Sequence, residues 1–118
     1  MGAFTAGQIV ILPFPFSNLL QNKYRPALLL ANVGQGDWIV CQITSKSHDE
    51  QAIQIGLSDF SEGSLQRVSF VRAGKLFTAH ETLFSGVAGQ LTNEKYSEIK
   101  RAVISLIDGR NDERMAKS

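Results

Sequence analysis

Along the first ninety residues, apolar positions fall in short blocks separated by turn residues, and the blocks have the length and alternation of β-strands. "GQIVILPF" from Gly7 is β-rich and runs into Pro13-Phe14-Pro15-Phe16, which no central strand should continue because proline donates no ladder hydrogen bond. "RPALLLAN" and "DWIVCQIT" flank the glycine-bearing turn "VGQG", which predicts a hairpin. In "AIQIGL", Ile53, Ile55 and Leu57 alternate onto one face and predict a half-buried strand. "RVSFVR" and "KLFTA" read as two further strands, separated by Ala73-Gly74.

The period then changes. In "LTNEKYSEIKRAVISLI" the apolar residues Tyr96, Ile99, Val103, Leu106 and Ile107 recur at helical spacing. Thr92 stands where an N-cap belongs, Glu94 lies in the first turn, and Gly109 is placed to stop the helix. Lys100 and Arg101 fall on the opposite, solvated face. Five or six short strands and one amphipathic helix predict a mainly β domain: a strongly bent sheet or partly open barrel capped by the helix. Residues 1–118 read as a single domain with its core in about 7–107 and a polar tail over 108–118. A sheet of this size leaves edges, which such domains often cover by dimerising.

Charge changes the picture locally rather than globally. Net charge is +1, so no overall field advertises nucleic acid, yet Lys23, Arg25 and Asp37 are the only charges in residues 1–45. An arginine at the mouth of a strand that then turns apolar has to find an anion, either within the fold or outside it. The single cysteine, Cys41, sits in "WIVCQI" and reads as a buried thiol in a reducing compartment, so a cytoplasmic location is expected. "MGAFTAG" has neither the charged region nor the apolar run of a secretory signal, and no apolar run approaches the ~20 residues of a membrane span.

One Cys and two His, His48 and His80, offer no metal-ligand spacing, and the glycines form neither a P-loop nor a dinucleotide fingerprint. "FSEGS", around Ser61 and Ser64, lies in a loop without the spacing of a nucleophile elbow. Neither cofactor nor metal is expected. What remains is chemistry in which the substrate brings its own nucleophile, as RNA does with the 2′-OH beside each phosphate. The protein then has to align the strand and neutralise charge on the phosphoryl oxygens. Arg25 opens one strand of the hairpin, and Thr44-Ser45 close the other. An antiparallel pair brings a strand's start beside its partner's end, so Arg25 and Thr44 should be neighbours. Taken singly, each has a plainer reading: ion-paired arginines far outnumber catalytic ones, and threonine is a common strand residue.

"GQIVILPFPF", "KYRPALLL", "CQITS" and "GQLTNEKYSEIKRAVISLI", in that order, resemble the PemK/MazF-type toxins of bacterial toxin–antitoxin pairs, over about Gly7 to Ile107. The resemblance implies an SH3-like barrel with a C-terminal helix, usually a homodimer. It implies a metal-independent endoribonuclease that cuts single-stranded RNA at short sequences, leaving a 2′,3′-cyclic phosphate and a 5′-OH. It also implies a cognate antitoxin protein as partner, with the complex as the DNA-binding form. The family's catalytic pair matches Arg25 and Thr44: Arg25 would clamp the developing charge, and Thr44 with Ser45 would orient the phosphate. Lys23 and Lys46 flank that pair, Arg67 and Ser69 lie in a later strand, and all four are candidate RNA contacts. Phe14 and Phe16 rank below them as stacking residues, and His48 and His80 match no family position as a general base. The loop "SNLLQNKY" lacks the glycine or acidic residue that many members carry before Arg-Pro, so no cut sequence carries over. Two readings of another class stay open: a barrel acting by protein binding, as the CcdB-like gyrase inhibitors do, and a non-catalytic interaction module.

Overall fold

The computed structural model describes residues 3–14, 23–46 and 50–109. Strands β1 (Gln8–Phe14), β2 (Lys23–Gly34), β3 (Asp37–Thr44), β4 (Ala52–Ile55), β5 (Phe60–Gly63), β6 (Ser69–His80) and β7 (Gly86–Leu91) precede one helix, α1 (Asn93–Asp108). The strands form a single antiparallel sheet in the order β4-β6-β3-β2-β1-β7-β5, open at β4 and β5. The chain is therefore mainly β with a C-terminal helix, as expected, and the barrel is open.

Why β2 is so apolar is answered by what lies on either side of it. Leu28 and Leu30 belong to the core beneath the helix, with Ile9, Cys41, Ile43, Val71, Ile99 and Val103. Ala27 and Leu29 belong to a second core on the other face, with Val10, Leu12, Phe14, Trp38 and Val40. A strand buried on both faces has no polar face to alternate with. The helix packs as its spacing predicts: Ile99 and Val103 are buried, the Lys95 N–H donates to Thr92 Oγ1 at 3.1 Å, and Gly109 takes the left-handed conformation at φ 74°. Tyr96 ties the helix to β2, its hydroxyl donating to the Leu30 carbonyl at 2.7 Å. Ile107 differs from the expected stripe and stands 73% exposed. No described helix is long and apolar enough to cross a membrane.

Four further expectations change. "FSEGS" is not all loop: Phe60–Gly63 is strand β5, paired with β7, a strand that "GVAGQL" did not advertise. "RVSFVR" and "KLFTA" are one strand, because the Ala73-Gly74 break is a bulge: Cys41 pairs with Leu76 and Ile43 with Val71, so β6 absorbs extra residues there without ending. Leu57 leaves the face of Ile53 and Ile55 because the chain turns into a short 3₁₀ segment, Leu57–Asp59. Finally, β1 continues through Pro13 to Phe14. Its pairing with β7 ends at Ile11, so beyond that point β2 is its one strand neighbour among the described residues and a missing N–H is tolerated.

Truncating the helix anchor, Ile99→Ala, should cost ~2–5 kcal/mol in urea unfolding, whereas Tyr96→Phe should cost ~1 kcal/mol. Burial pushes the Cys41 thiol up from 9.0 to about 12. Between those values the unfolded chain has released a proton that the folded chain keeps, so stability is full below pH 9 and falls as pH rises toward 12. Unfolding followed from pH 8 to 11 should show that decline, and Cys41→Ala should make it shallower.

Candidate functional site

The site is built by the β2–β3 hairpin. Gln35 and Gly36 form its two-residue turn with φ of 58° and 86°, both left-handed, the geometry whose twist suits a hairpin. Gly36 is also required by space, since a Cβ there would lie 2.5 Å from His80 Nε2. From the closing pair Gly34↔Asp37 the ladder does not run straight. Register shifts between Asn32 and Gly34, and again between Leu29 and Ala31, leave Val33 and Leu30 as extra residues of β2. Each shift moves the pairing by one position. The last pair is Ala27↔Gln42, and the same register continued two residues sets Thr44 opposite Arg25. Without the two bulges, Lys46 would stand there.

Arg25 and Thr44 line one cavity of about 360 Å³. Its other lining residues are Tyr24, Pro26, Ile43, Ser45, Leu65, Gln66, Arg67 and Ser69. Among the described residues, two guanidinium-bearing side chains and no carboxylate line this space, so together they give it a positive field although the chain as a whole is nearly neutral. Lys95 pairs with Asp59 and Glu98, and among the described residues neither Arg25 nor Arg67 has an acidic partner. Thr44 Oγ1 accepts the Lys46 N–H at 3.2 Å, which fixes the side chain, and its hydroxyl proton has no acceptor among the described residues. Ser45, just past β3, is exposed.

The cavity thus gathers Arg25, Thr44, Ser45, Arg67 and Ser69 of the expected residues. Ser69 is 5% exposed and its hydroxyl donates to the Arg67 carbonyl at 3.0 Å, so it offers a ligand only lone pairs while holding the Arg67 backbone in place. Lys23 and Lys46 are exposed but lie outside the lining. Phe14 is not a stacking platform: it is 4% exposed and meets the Phe77 ring edge-to-face at 5.2 Å. Phe16 and His48 lie outside the described residues. His80 pairs with Asp37, at the opposite end of β3 from Thr44, a separation of roughly 23 Å at ~3.3 Å per residue. Its ring bonds Thr82 and the Gln35 carbonyl there, so it serves the turn and not the cavity. Tyr24 and Gln66 were not foreseen. Tyr24, 62% exposed beside Arg25, carried an available signal as an aromatic next to the candidate cation; Gln66 carried none. Among the described residues, no three His, Cys, Asp or Glu side chains come together as a metal site.

A small open antiparallel sheet with one capping helix, carrying a cationic cavity at the ends of two central strands, is the class of domain defined so far. Residues 5–107 match the PemK-like, MazF-like toxin family of type II toxin–antitoxin systems, and the chain belongs to that family. No curated protein sequence matches it. Among solved structures, it is similar to a MazE–MazF structure from Deinococcus radiodurans, with a TM-score of 0.72 and 20% identity over 92% of this chain and 98% of that one. MazF from the same organism aligns with a TM-score of 0.70 and 20% identity, over 92% and 99% of the two chains. An endoribonuclease in complex with its cognate antitoxin, from a mycobacterial species, aligns with a TM-score of 0.70 and 17% identity, over 92% and 96%. At these identities the likeness is one of fold.

A cation with no acidic partner among the described residues can be removed cheaply. Arg25→Ala should change the free energy of unfolding by less than ~0.5 kcal/mol, measured by urea denaturation. A loss above ~2 kcal/mol would mean that the guanidinium holds the fold together.

Proposed function

We propose that this toxin-family chain is a metal-independent endoribonuclease that cleaves single-stranded RNA at short sequences. The observation that carries the reading is the meeting of Arg25, Arg67 and Thr44 around one cavity whose lining, among the described residues, holds no carboxylate. Such a space suits a phosphodiester and suits poorly an acidic group of the chain's own. In the reaction, the 2′-oxygen attacks the adjacent phosphorus, the bond from phosphorus to the 5′-oxygen breaks, and a 2′,3′-cyclic phosphate forms. The 2′-hydroxyl proton passes to a phosphoryl oxygen or to water, and the departing 5′-oxygen takes a proton to become a 5′-OH. Arg25 grips two phosphoryl oxygens with its planar fork as charge builds on them. Thr44 donates to one of those oxygens, with Ser45 beside it, and Arg67 holds a neighbouring phosphate. A charge clamp together with a substrate-borne nucleophile asks for no cofactor.

The partners follow from the same surface. An antitoxin with a flexible acidic segment would cover the cavity by matching its charge, as the cognate antitoxins solved with related chains form complexes with them. A second copy of the chain completes a homodimer, and the work is done in the cytoplasm, where the RNA is.

Labelled single-stranded RNA incubated with the protein in EDTA should yield cyclic-phosphate ends. Arg25→Ala should lower the rate on the order of 10³-fold, the scale of charge-clamping arginines in phosphoryl transfer. Thr44→Ala should cost less, since Ser45 stands beside it. Equal cleavage by parent and Arg25→Ala would assign the activity to a contaminant. No cleavage across many sequences would move the chain to the binding proteins.

A further inference from the structure

We infer that a second cavity, which shares the Leu65–Arg67 segment with the first, seats the base of a nucleotide next to the scissile phosphate, with Gln66 reading its edge. The inference rests on the endoribonuclease reading above and adds the residues that would choose the cut sequence. This cavity measures about 330 Å³, at the small end of the ~300–1,000 Å³ usual for ligand sites. It shares Leu65, Gln66 and Arg67 with the cavity that holds Arg25 and Thr44, so one strand of RNA can occupy both with Arg67 between them.

Its chemistry is that of a base site. Leu57, Phe60 and Val68 supply apolar wall, Gln66 and Arg67 supply polar groups, and no carboxylate among the described residues lines it. A nucleobase has two apolar faces and a polar rim, and it arrives attached to an anion. Leu57 is the telling residue. Strand alternation would send it to the core with Ile53 and Ile55, but the Gly56 N–H donates to the Asp59 carboxylate at 2.9 Å and the short turn holds Leu57 out at the rim, 77% exposed. Val68, also at this cavity, is 51% exposed. Gln66 makes no hydrogen bond within the described residues, so its amide is available both to donate and to accept. An acidic peptide would be served by the arginine alone and gains nothing from an apolar slot.

The test uses a random octamer library of 2′-fluoro RNA, which binds but lacks the attacking hydroxyl, alongside cut-site mapping on natural RNA. The parent should enrich one base at one position. Gln66→Ala should flatten that preference about tenfold and leave the other positions alone, the scale of losing a paired contact to a base edge. Leu57→Ser should weaken library binding about tenfold, as loss of an apolar stacking surface does. Both side chains are exposed, so neither change threatens folding. Parent-like profiles and affinities in both variants overturn the inference, and so does a defect confined to binding an acidic peptide. Binding with the expected profile but no cleavage of natural RNA would sink the nuclease reading and leave the base site standing. Cleavage with an unaltered cut-site profile would do the reverse.

Discussion

The register of the β2–β3 hairpin is the constraint on which the site depends. Its turn starts the pairing at Gly34 and Asp37, and two bulges then slide β2 by two positions before the strands reach the cavity. A slip of one residue would send side chains to the opposite face, but two shifts restore the original parity. The pairing is held from both sides. Leu28 and Leu30 are locked into the helix-side core, Ala27 and Leu29 into the other, and any further slip would carry leucines out of two cores at once. The position of Thr44 relative to Arg25 is therefore set by hydrophobic burial several residues away.

That division explains how a nearly neutral chain presents a cationic cavity. The buried length of the central strands contains no charged side chain, because burying an unpaired charge is costly. Charge can appear only where the strands emerge, and Arg25, Thr44 and Ser45 all stand at such ends. The segment before β6 adds Arg67 from the other side, its backbone carbonyl tied by the buried Ser69 hydroxyl. Arg25 and Thr44 thus project from rigid, doubly buried strands, which suits a reaction that depends on alignment. The Arg25 guanidinium, without an acidic partner among the described residues, is tolerated because it is only half-buried and keeps contact with water.

Elements with a strong period were legible. The helix declared itself through Ile99 and Val103, its cap through Thr92 and its stop through Gly109. The hairpin declared itself through two β-rich runs around a glycine turn. Residues whose placement depended on partners distant in sequence were not legible. β7, with two glycines in six residues, is a strand because β1 and β5 pair with it, and β5 exists because β7 is there to receive it. Ala73-Gly74 looked like a break and is a bulge, since β3 spans it from the other side. Phe14 offered a base-stacking ring on paper, and the Phe77 ring claims it.

The amino-acid order by itself determined that the chain would be mainly β with a terminal helix, that β2 would be buried, and that Arg25 would stand at a strand mouth without a local acidic neighbour. These follow from side-chain chemistry and spacing over a few residues. The hairpin pattern already brought Thr44 near Arg25, but only the tertiary structure decided that two bulges set that register, that Arg67 converges on the pair from a distant segment, and that Leu57 lines a cavity instead of the core. Those outcomes depend on how bulges, turns and two cores are satisfied together, and no local window of sequence contains that information.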